Sequence, residues 1–177
     1  MSISIILIGL CYLILSILLS ISFIYLSIYV INYLLKESEK IKLFSALEKN
    51  NAAVAISAST IIISIGWIVK SNIEPSIDAL RMTLLSADIT TRNIVIIFTI
   101  ILIQIVLSGF FALFSVILAV KMFMKITGNI DELALIKKNN IAMAIVLSAI
   151  IFTIALFIEP AIKTILEGLI IFPPVGR

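Results

Sequence analysis

Four long apolar stretches alternate with short polar connections along the chain. The stretches are 3–35, 52–69, 94–120 and 141–158, and no charged residue occurs inside any of them. An apolar run of about 18 or more residues can cross a bilayer as a helix, whereas barrel strands alternate apolar and polar positions. A helix also satisfies its backbone hydrogen bonds internally, which lipid requires. The pattern therefore predicts an all-α integral membrane protein with four transmembrane helices.

The first apolar stretch is longer than a bilayer needs. As a helix it would extend roughly 50 Å at ~1.5 Å per residue, whereas the hydrocarbon core is about 30 Å thick. We therefore expect this helix to tilt or to project beyond the bilayer. A cleaved signal peptide is the alternative, but the stretch lacks a positively charged start and is too long for the apolar segment of a signal.

A K-N-N motif occurs twice, and each copy precedes one of the two shorter apolar stretches. Residues 47–56 and 136–145 share the pattern K-N-N-x-A-x-A-I. An Ile-Glu-Pro sequence then follows each shorter stretch, at 73–75 and 158–160. Two helices separate equivalent points, so both copies should have the same membrane orientation, as in a parallel repeat.

This duplication predicts one membrane domain over residues 1–177, with a first repeat of about residues 1–90 and a second of about 91–177. Each repeat would contain a long helix, a polar loop and a short helix. The expected architecture is a four-helix bundle built from two tandem parallel helical hairpins, with pseudo-two-fold symmetry about the membrane normal.

Segments beside the motifs show amphipathic patterns. Residues 41–47 place Leu43, Phe44 and Leu47 at helical spacing, and residues 131–136 resemble them. Residues 71–92 include the first Ile-Glu-Pro sequence, whose proline suits the first turn of a new helix. We expect these segments to be helices on the membrane surface or against a partner.

Composition excludes several classes of chemistry. The sequence contains no histidine and one cysteine, Cys11, so histidine-based metal sites, Ser-His-Asp triads and an intrachain disulfide are excluded. Hydrophobic residues make up 62% of the chain and charged residues 13%, which agrees with lipid as the solvent. The net charge of +3 is not gathered in a basic patch with interleaved aromatic residues, so we expect no nucleic-acid partner. No cofactor or catalytic motif occurs, and we expect a non-enzymatic protein.

Basic residues are unevenly distributed between the two ends of the predicted helices. By the positive-inside rule, the end with more lysine and arginine faces the cytoplasm. This rule puts both K-N-N loops in the cytoplasm and both termini outside the cell membrane. The K-N-N end carries Lys36, Lys40, Lys42, Lys49, Lys121, Lys125, Lys137 and Lys138, and the opposite end carries Lys70, Arg81, Arg92, Lys163 and Arg177.

Residues 131–145, with the sequence D-E-L-A-L-I-K-K-N-N-I-A-M-A-I, resemble the signature of the domain-of-unknown-function-350 family. The resemblance implies a small prokaryotic inner-membrane protein with two such units and four helices. It extends over nearly the whole chain, because both copies of the motif match. The family pattern usually has glycine where this sequence has Asn50 and Asn139. The resemblance implies no established activity.

Polar residues at equivalent positions of the two copies are the candidate site residues. Asn51 and Asn140 stand where the short helices start and suit N-caps, or they meet near the pseudo-two-fold axis as polar ligands for an ion or a substrate. Glu74 and Glu159 are carboxylates at a helix end among the headgroups, or a pair that binds a cation or carries protons. The candidate repeat-interface or ion-path residues are Asn50, Asn51, Asn139, Asn140, Glu74 and Glu159.

These features predict a structural subunit or partner in a membrane assembly. The bilayer and a second copy or another membrane protein are the expected partners, because the chain is small for a complete transport path. A first alternative is a small ion channel or transporter whose path is lined by the paired asparagines and glutamates. A second is a sensor with an apolar pocket for a lipid or small molecule between the repeats.

Overall fold

The structure is a computed structural model, and it describes residues 2–36, 43–85, 91–128 and 131–168. Within these ranges the chain is helical and has no strand, which confirms the all-α prediction. The helices are α1 (Ser2–Lys36), α2 (Leu43–Glu48), α3 (Ala52–Leu85), α4 (Thr91–Thr127), α5 (Glu132–Lys137) and α6 (Ile141–Glu167).

Four of these helices are long and apolar enough to cross a membrane. The candidate spans are Tyr12–Leu35, Ala52–Pro75, Phe98–Thr127 and Ile141–Glu167. Many large apolar side chains on their outer faces are exposed. Contiguous apolar surface of this kind is unfavourable in water and favourable in lipid. The chain is therefore a membrane protein with four candidate spans.

The central helix of the core is α3. It packs along both α4 and α6, which also contact each other, whereas α1 contacts mainly α3. Fully buried alanines lie on each of the three central helices, at Ala53, Ala112 and Ala144. Small side chains allow membrane helices to approach closely. The core is therefore built around α3, α4 and α6.

Helix α1 enters this core only with its C-terminal half. Ser27, Val30, Ile31 and Leu34 are buried there, whereas most described side chains of the preceding turns are exposed. The helix has 35 residues, which confirms the expectation of a first helix longer than the bilayer requires. A large part of its surface therefore contacts no other part of the described chain.

The two Ile-Glu-Pro sequences do not end the shorter helices, contrary to the prediction. Pro75 lies inside α3 and Pro160 inside α6, and these helices continue to Leu85 and Glu167. A proline leaves the carbonyl four residues earlier without its usual N–H donor, but neighbouring helices compensate for such breaks in membrane proteins. A separate helix over 71–92 is therefore wrong, since 71–85 belong to α3 and 86–90 lie outside the described ranges.

The short helices α2 and α5 precede the K-N-N motifs as predicted, but the buried face of α2 is different. Leu43 and Ala46 are buried, whereas Phe44 is 61% exposed and Leu47 is also exposed. Successive helical positions are rotated by about 100°, so Leu43, Leu47 and Phe44 lie within about 100° of one another around α2, as the spacing predicts. Only Leu43, at one edge of this face, packs into the core, whereas Phe44 and Leu47 remain exposed.

Some residues used to predict the orientation lie outside the described ranges, namely Lys40, Lys42 and Arg177. The described lysines beside the motifs still gather at one end of the molecule. Lys121 and Lys125 lie in the last turns of α4, and Lys137 and Lys138 lie at the end of α5. This end also contains both short helices.

Candidate functional site at the K-N-N junction

Both K-N-N motifs form the same turn between a short helix and a long one. Asn50 and Asn139 have left-handed backbone conformations, with φ of 53° and 66°. The next residue in each motif, Asn51 or Asn140, donates its backbone N–H to a carbonyl five positions earlier, at 3.1 Å and 3.0 Å. This pattern is a Schellman turn, which needs a residue that tolerates positive φ. Glycine and asparagine both do so, which explains asparagine at positions where the family pattern has glycine.

Asn51 and Asn140 then cap the long helices that follow. The Oδ1 atom of Asn51 accepts the N–H of Val54 at 2.9 Å. In the second motif, Oδ1 of Asn140 accepts the N–H of Met143 at 3.0 Å. The prediction that these residues are N-caps is therefore confirmed.

Side chains of the two motifs also bond across the junction between the halves of the chain. The Nδ2 atom of Asn51 donates to the Lys137 carbonyl at 2.8 Å and to the Ile136 carbonyl at 3.3 Å. In return, Oδ1 of Asn139 accepts the N–H of Ala53 at 3.1 Å. These partners are backbone groups at the end of α5 and the start of α3, where a helix leaves some of its own backbone groups without an intrahelical partner. The K-N-N junction therefore ties the two halves of the chain together through backbone groups.

The two halves use equivalent asparagines differently. Asn51 is 9% exposed and bonds across the junction, whereas Asn140 is exposed and caps its own helix. The side chain that crosses from the second motif is Asn139, not Asn140. Hydrogen bonding at the junction is therefore not symmetric.

A cavity of about 230 Å³ opens beside these hydrogen bonds. Residues of both motifs line it, and three of them are lysines. Sequence analysis missed this convergence, although the lysine before each Asn-Asn pair was its visible signal. The lining residues are Ala46, Lys49, Asn51, Lys137, Lys138 and Asn139.

The glutamates of the Ile-Glu-Pro sequences lie far from this junction. Glu74 is separated from Asn51 by roughly 35 Å of helix at ~1.5 Å per residue. It is exposed and forms an ion pair with Lys70 on the preceding turn, with Nζ 3.1 Å from Oε1. Glu159 is half-buried on α6. The structure therefore does not bring the candidate asparagines and glutamates into one site.

Several buried polar side chains lie between the long helices. The Nε2 atom of Gln104 on α4 donates to the Leu166 carbonyl of α6 at 2.9 Å and so links the two helices. Some of these side chains have a buried oxygen atom without a hydrogen-bond partner in the described part of the chain. They are Ser64, Asn72, Gln104, Ser108 and Ser148. Glu132 in the first turn of α5 is 1% exposed, and neither of its carboxylate oxygens has a partner there. Among the described residues, no group of three or more His, Cys, Asp or Glu is arranged to hold a metal ion.

A second cavity, of about 270 Å³, lies between α1 and α3. Most of its lining is apolar, with Phe23, Ile62 and Val69 among the lining residues. Lys70 and Glu74 also line it. Both helices belong to the first half of the chain, so this cavity is not the apolar pocket between repeats that the sensor hypothesis requires.

These features define a helical membrane protein whose two halves meet in a pair of related turns. A model of the family described as Domain of Unknown Function (DUF350) matches residues 98–172. The match supports the predicted family, and residues 98–172 form a domain of it. No curated protein and no solved structure matches the chain significantly.

Proposed function

We propose that this protein is a non-enzymatic subunit of a membrane assembly, in which α1 packs against α1 of a second copy. The observation that carries the proposal is the exposure of α1. Within an 18-residue apolar segment of its span, 17% of the residues are buried, compared with 50% for the corresponding segment of α3. A helix with so few contacts inside its own chain has a large surface for a partner.

A stripe of tyrosines on α1 supports a protein partner over lipid alone. Tyr25, Tyr29 and Tyr33 recur every four residues and are all exposed, Tyr25 by 76%. Tyr25 lies roughly 16 Å along the helix from Lys36, which is deeper than the interface where tyrosine is common. A hydroxyl group without a hydrogen-bond partner is costly in hydrocarbon.

A second copy of the chain can supply the hydrogen-bond partners that these tyrosine hydroxyls need, without any other component. A tyrosine hydroxyl both donates and accepts, so two identical stripes related by a two-fold axis can hydrogen-bond to each other. The axis would run along the membrane normal, because both copies then have the same orientation. The tyrosine stripe is therefore self-complementary.

Cysteine cross-linking in liposomes that contain only this protein tests the assembly. In a Cys11→Ala background, Tyr29→Cys should form a disulfide-linked dimer on mild oxidation. Phe157→Cys is the control, because Phe157 is 81% exposed on α6 and away from the stripe. Equal cross-linking at both positions, or none at position 29, would contradict self-assembly through α1.

We also propose that the K-N-N end faces the cytoplasm of a cell membrane. Lys121, Lys125, Lys137 and Lys138 support this orientation by the positive-inside rule. A membrane-impermeant thiol reagent should label Lys138→Cys in inside-out vesicles but not in intact cells. Labelling in intact cells would reverse the orientation.

A small channel remains the second candidate, and one observation favours it. The unpartnered oxygens of Ser148, Ser64 and Ser108 lie at increasing distances of roughly 10, 18 and 28 Å along their helices from the K-N-N end. Gln104 follows at roughly 34 Å. Polar groups inside a membrane bundle often mark a path for ions or protons. Ion flux through liposomes that contain the protein tests this candidate.

A further inference from the structure

We propose that the cavity at the K-N-N junction binds the phosphate group of an anionic ligand, and that a phospholipid headgroup is its source. The proposal concerns a different part of the molecule from α1 and does not depend on self-assembly. It follows from the cavity's charge, its backbone surroundings, its size and its depth.

The charge of the cavity is positive and comes from both halves of the chain. Lys49 belongs to the first motif, and Lys137 and Lys138 belong to the second. Among the described residues that line the cavity none is acidic, and Glu48, which precedes Lys49, is exposed. Lysine is a common phosphate ligand because its ammonium group supplies three donors and a compact charge.

The backbone around the cavity also favours an anion. Asn51, which lines it, is the N-cap of the 34-residue helix α3, and the N-terminus of a helix carries partial positive charge. The carbonyls at the end of α5 would repel an anion, but Nδ2 of Asn51 donates to those of Ile136 and Lys137. Asn51 thus reduces the negative potential that these carbonyls would otherwise direct at the cavity.

The cavity is large enough and lies at a suitable depth for a lipid phosphate. Its volume of about 230 Å³ is many times the ~10–15 Å³ that one water molecule requires. The apolar spans of α3 and α6 begin within a few residues of it, at Ala52 and Ile141. Phe44 of α2 exposes an apolar ring at the same end of the molecule. Basic pockets between membrane helices at this depth are suited to anionic headgroups.

Lipid binding to the full-length protein in mild detergent, followed by native mass spectrometry, tests the proposal. The probes are short-chain phosphatidylglycerol, short-chain phosphatidylcholine and inorganic phosphate. Wild type should bind phosphatidylglycerol in preference to phosphatidylcholine. Lys49→Gln/Lys138→Gln should weaken that binding about tenfold or more, because two charge-assisted contacts are lost.

A matched control separates this cavity from general electrostatic attraction. Lys121→Gln/Lys125→Gln removes the same charge at the same end of the molecule, from exposed residues that do not line the cavity. This variant should change binding by less than about twofold. Lys49→Arg/Lys138→Arg keeps the charge and should retain most of the affinity. If the double glutamine variant does not fold, the single variants Lys49→Gln and Lys138→Gln are compared with Lys121→Gln instead.

The remaining outcomes distinguish the sources of phosphate. Competition by inorganic phosphate against bound phosphatidylglycerol would support one shared phosphate site. Lysine-dependent binding of inorganic phosphate without binding of phosphatidylglycerol would keep the phosphate site and overturn the lipid source. Equal binding of the two lipids without any phosphate binding, or equal losses in both double glutamine variants, would overturn the proposal. A failure of α1 cross-linking leaves all these outcomes unchanged.

Discussion

Within the described part of the chain, the side chain of Asn51 makes three hydrogen bonds and that of Asn140 makes one, although both occupy the same position of the motif. The motif determines the turn and the cap, because those depend on the neighbouring backbone alone. The burial of each asparagine side chain depends instead on how the short and long helices of the two halves pack against each other. Sequence therefore predicted the caps correctly, but not that Asn51 holds the end of α5.

This asymmetry predicts unequal effects of two matched substitutions on stability. Asn140→Ala removes an exposed cap and should lower the free energy of unfolding by about 1 kcal/mol. Asn51→Ala removes a cap and also the hydrogen bond from Nδ2 to the Lys137 carbonyl across the junction, so we expect a loss of about 2–4 kcal/mol. Thermal and denaturant unfolding of the detergent-solubilised protein measures both. Equal losses would mean that the bonds across the junction contribute little.

At the level of the helices, the apolar runs of the sequence predicted each long helix correctly. They did not predict the residues at which these helices end. Pro75 and Pro160 would usually end a helix in water, since the lost hydrogen bond there is readily replaced by water. In a membrane protein packing keeps the helix continuous, and α3 therefore extends ten residues past Pro75. The lysines that line the K-N-N cavity could be noticed in the sequence, but their convergence depends on packing between the two halves.

Alanine substitutions at two glycines of the long helices test how closely α1 packs against the core. A Cβ atom at Gly109 of α4 would lie 2.7 Å from Cε1 of Phe23 on α1, whereas one at Gly66 of α3 would meet nothing within 4 Å. Gly66→Ala should stabilise the protein by up to about 1 kcal/mol, because alanine favours the helix. Gly109→Ala should destabilise it instead, since the ring of Phe23 must move.

Thermal unfolding of the two glycine variants and a double variant checks this prediction. Gly109→Ala/Phe23→Leu replaces the ring by a smaller side chain and should recover part of the stability lost in Gly109→Ala. If Gly109→Ala proved as stable as Gly66→Ala, the close contact between α1 and α4 would not contribute to the fold.

Across the whole molecule, polar groups are distributed in a way that favours a subunit of an assembly over a channel. The unpartnered oxygens between α3, α4 and α6 are separated by apolar side chains that fill the core. Ile65 and Ile68 of α3 are fully buried, and Ile151 of α6 is 1% exposed. An ion needs polar groups or water along its whole path, because an unpaired charge in an apolar interior is costly. Of the candidates for such a path, Asn51 and Glu74 are separated by roughly 35 Å along α3, and Asn140 and Glu159 by roughly 28 Å along α6.

We therefore expect liposomes that contain the protein to show proton and potassium flux equal to that of empty liposomes. A fluorescent pH indicator and a potassium-sensitive dye measure the two fluxes after an imposed gradient. Flux above the empty control that is lost in Gln104→Leu would support a path through the buried oxygens. Flux lost in Glu74→Gln/Glu159→Gln would instead support a path through the paired carboxylates. Either result would favour the channel. A subunit that acts only through its contacts with other helices would not conduct ions, so flux would not depend on these side chains.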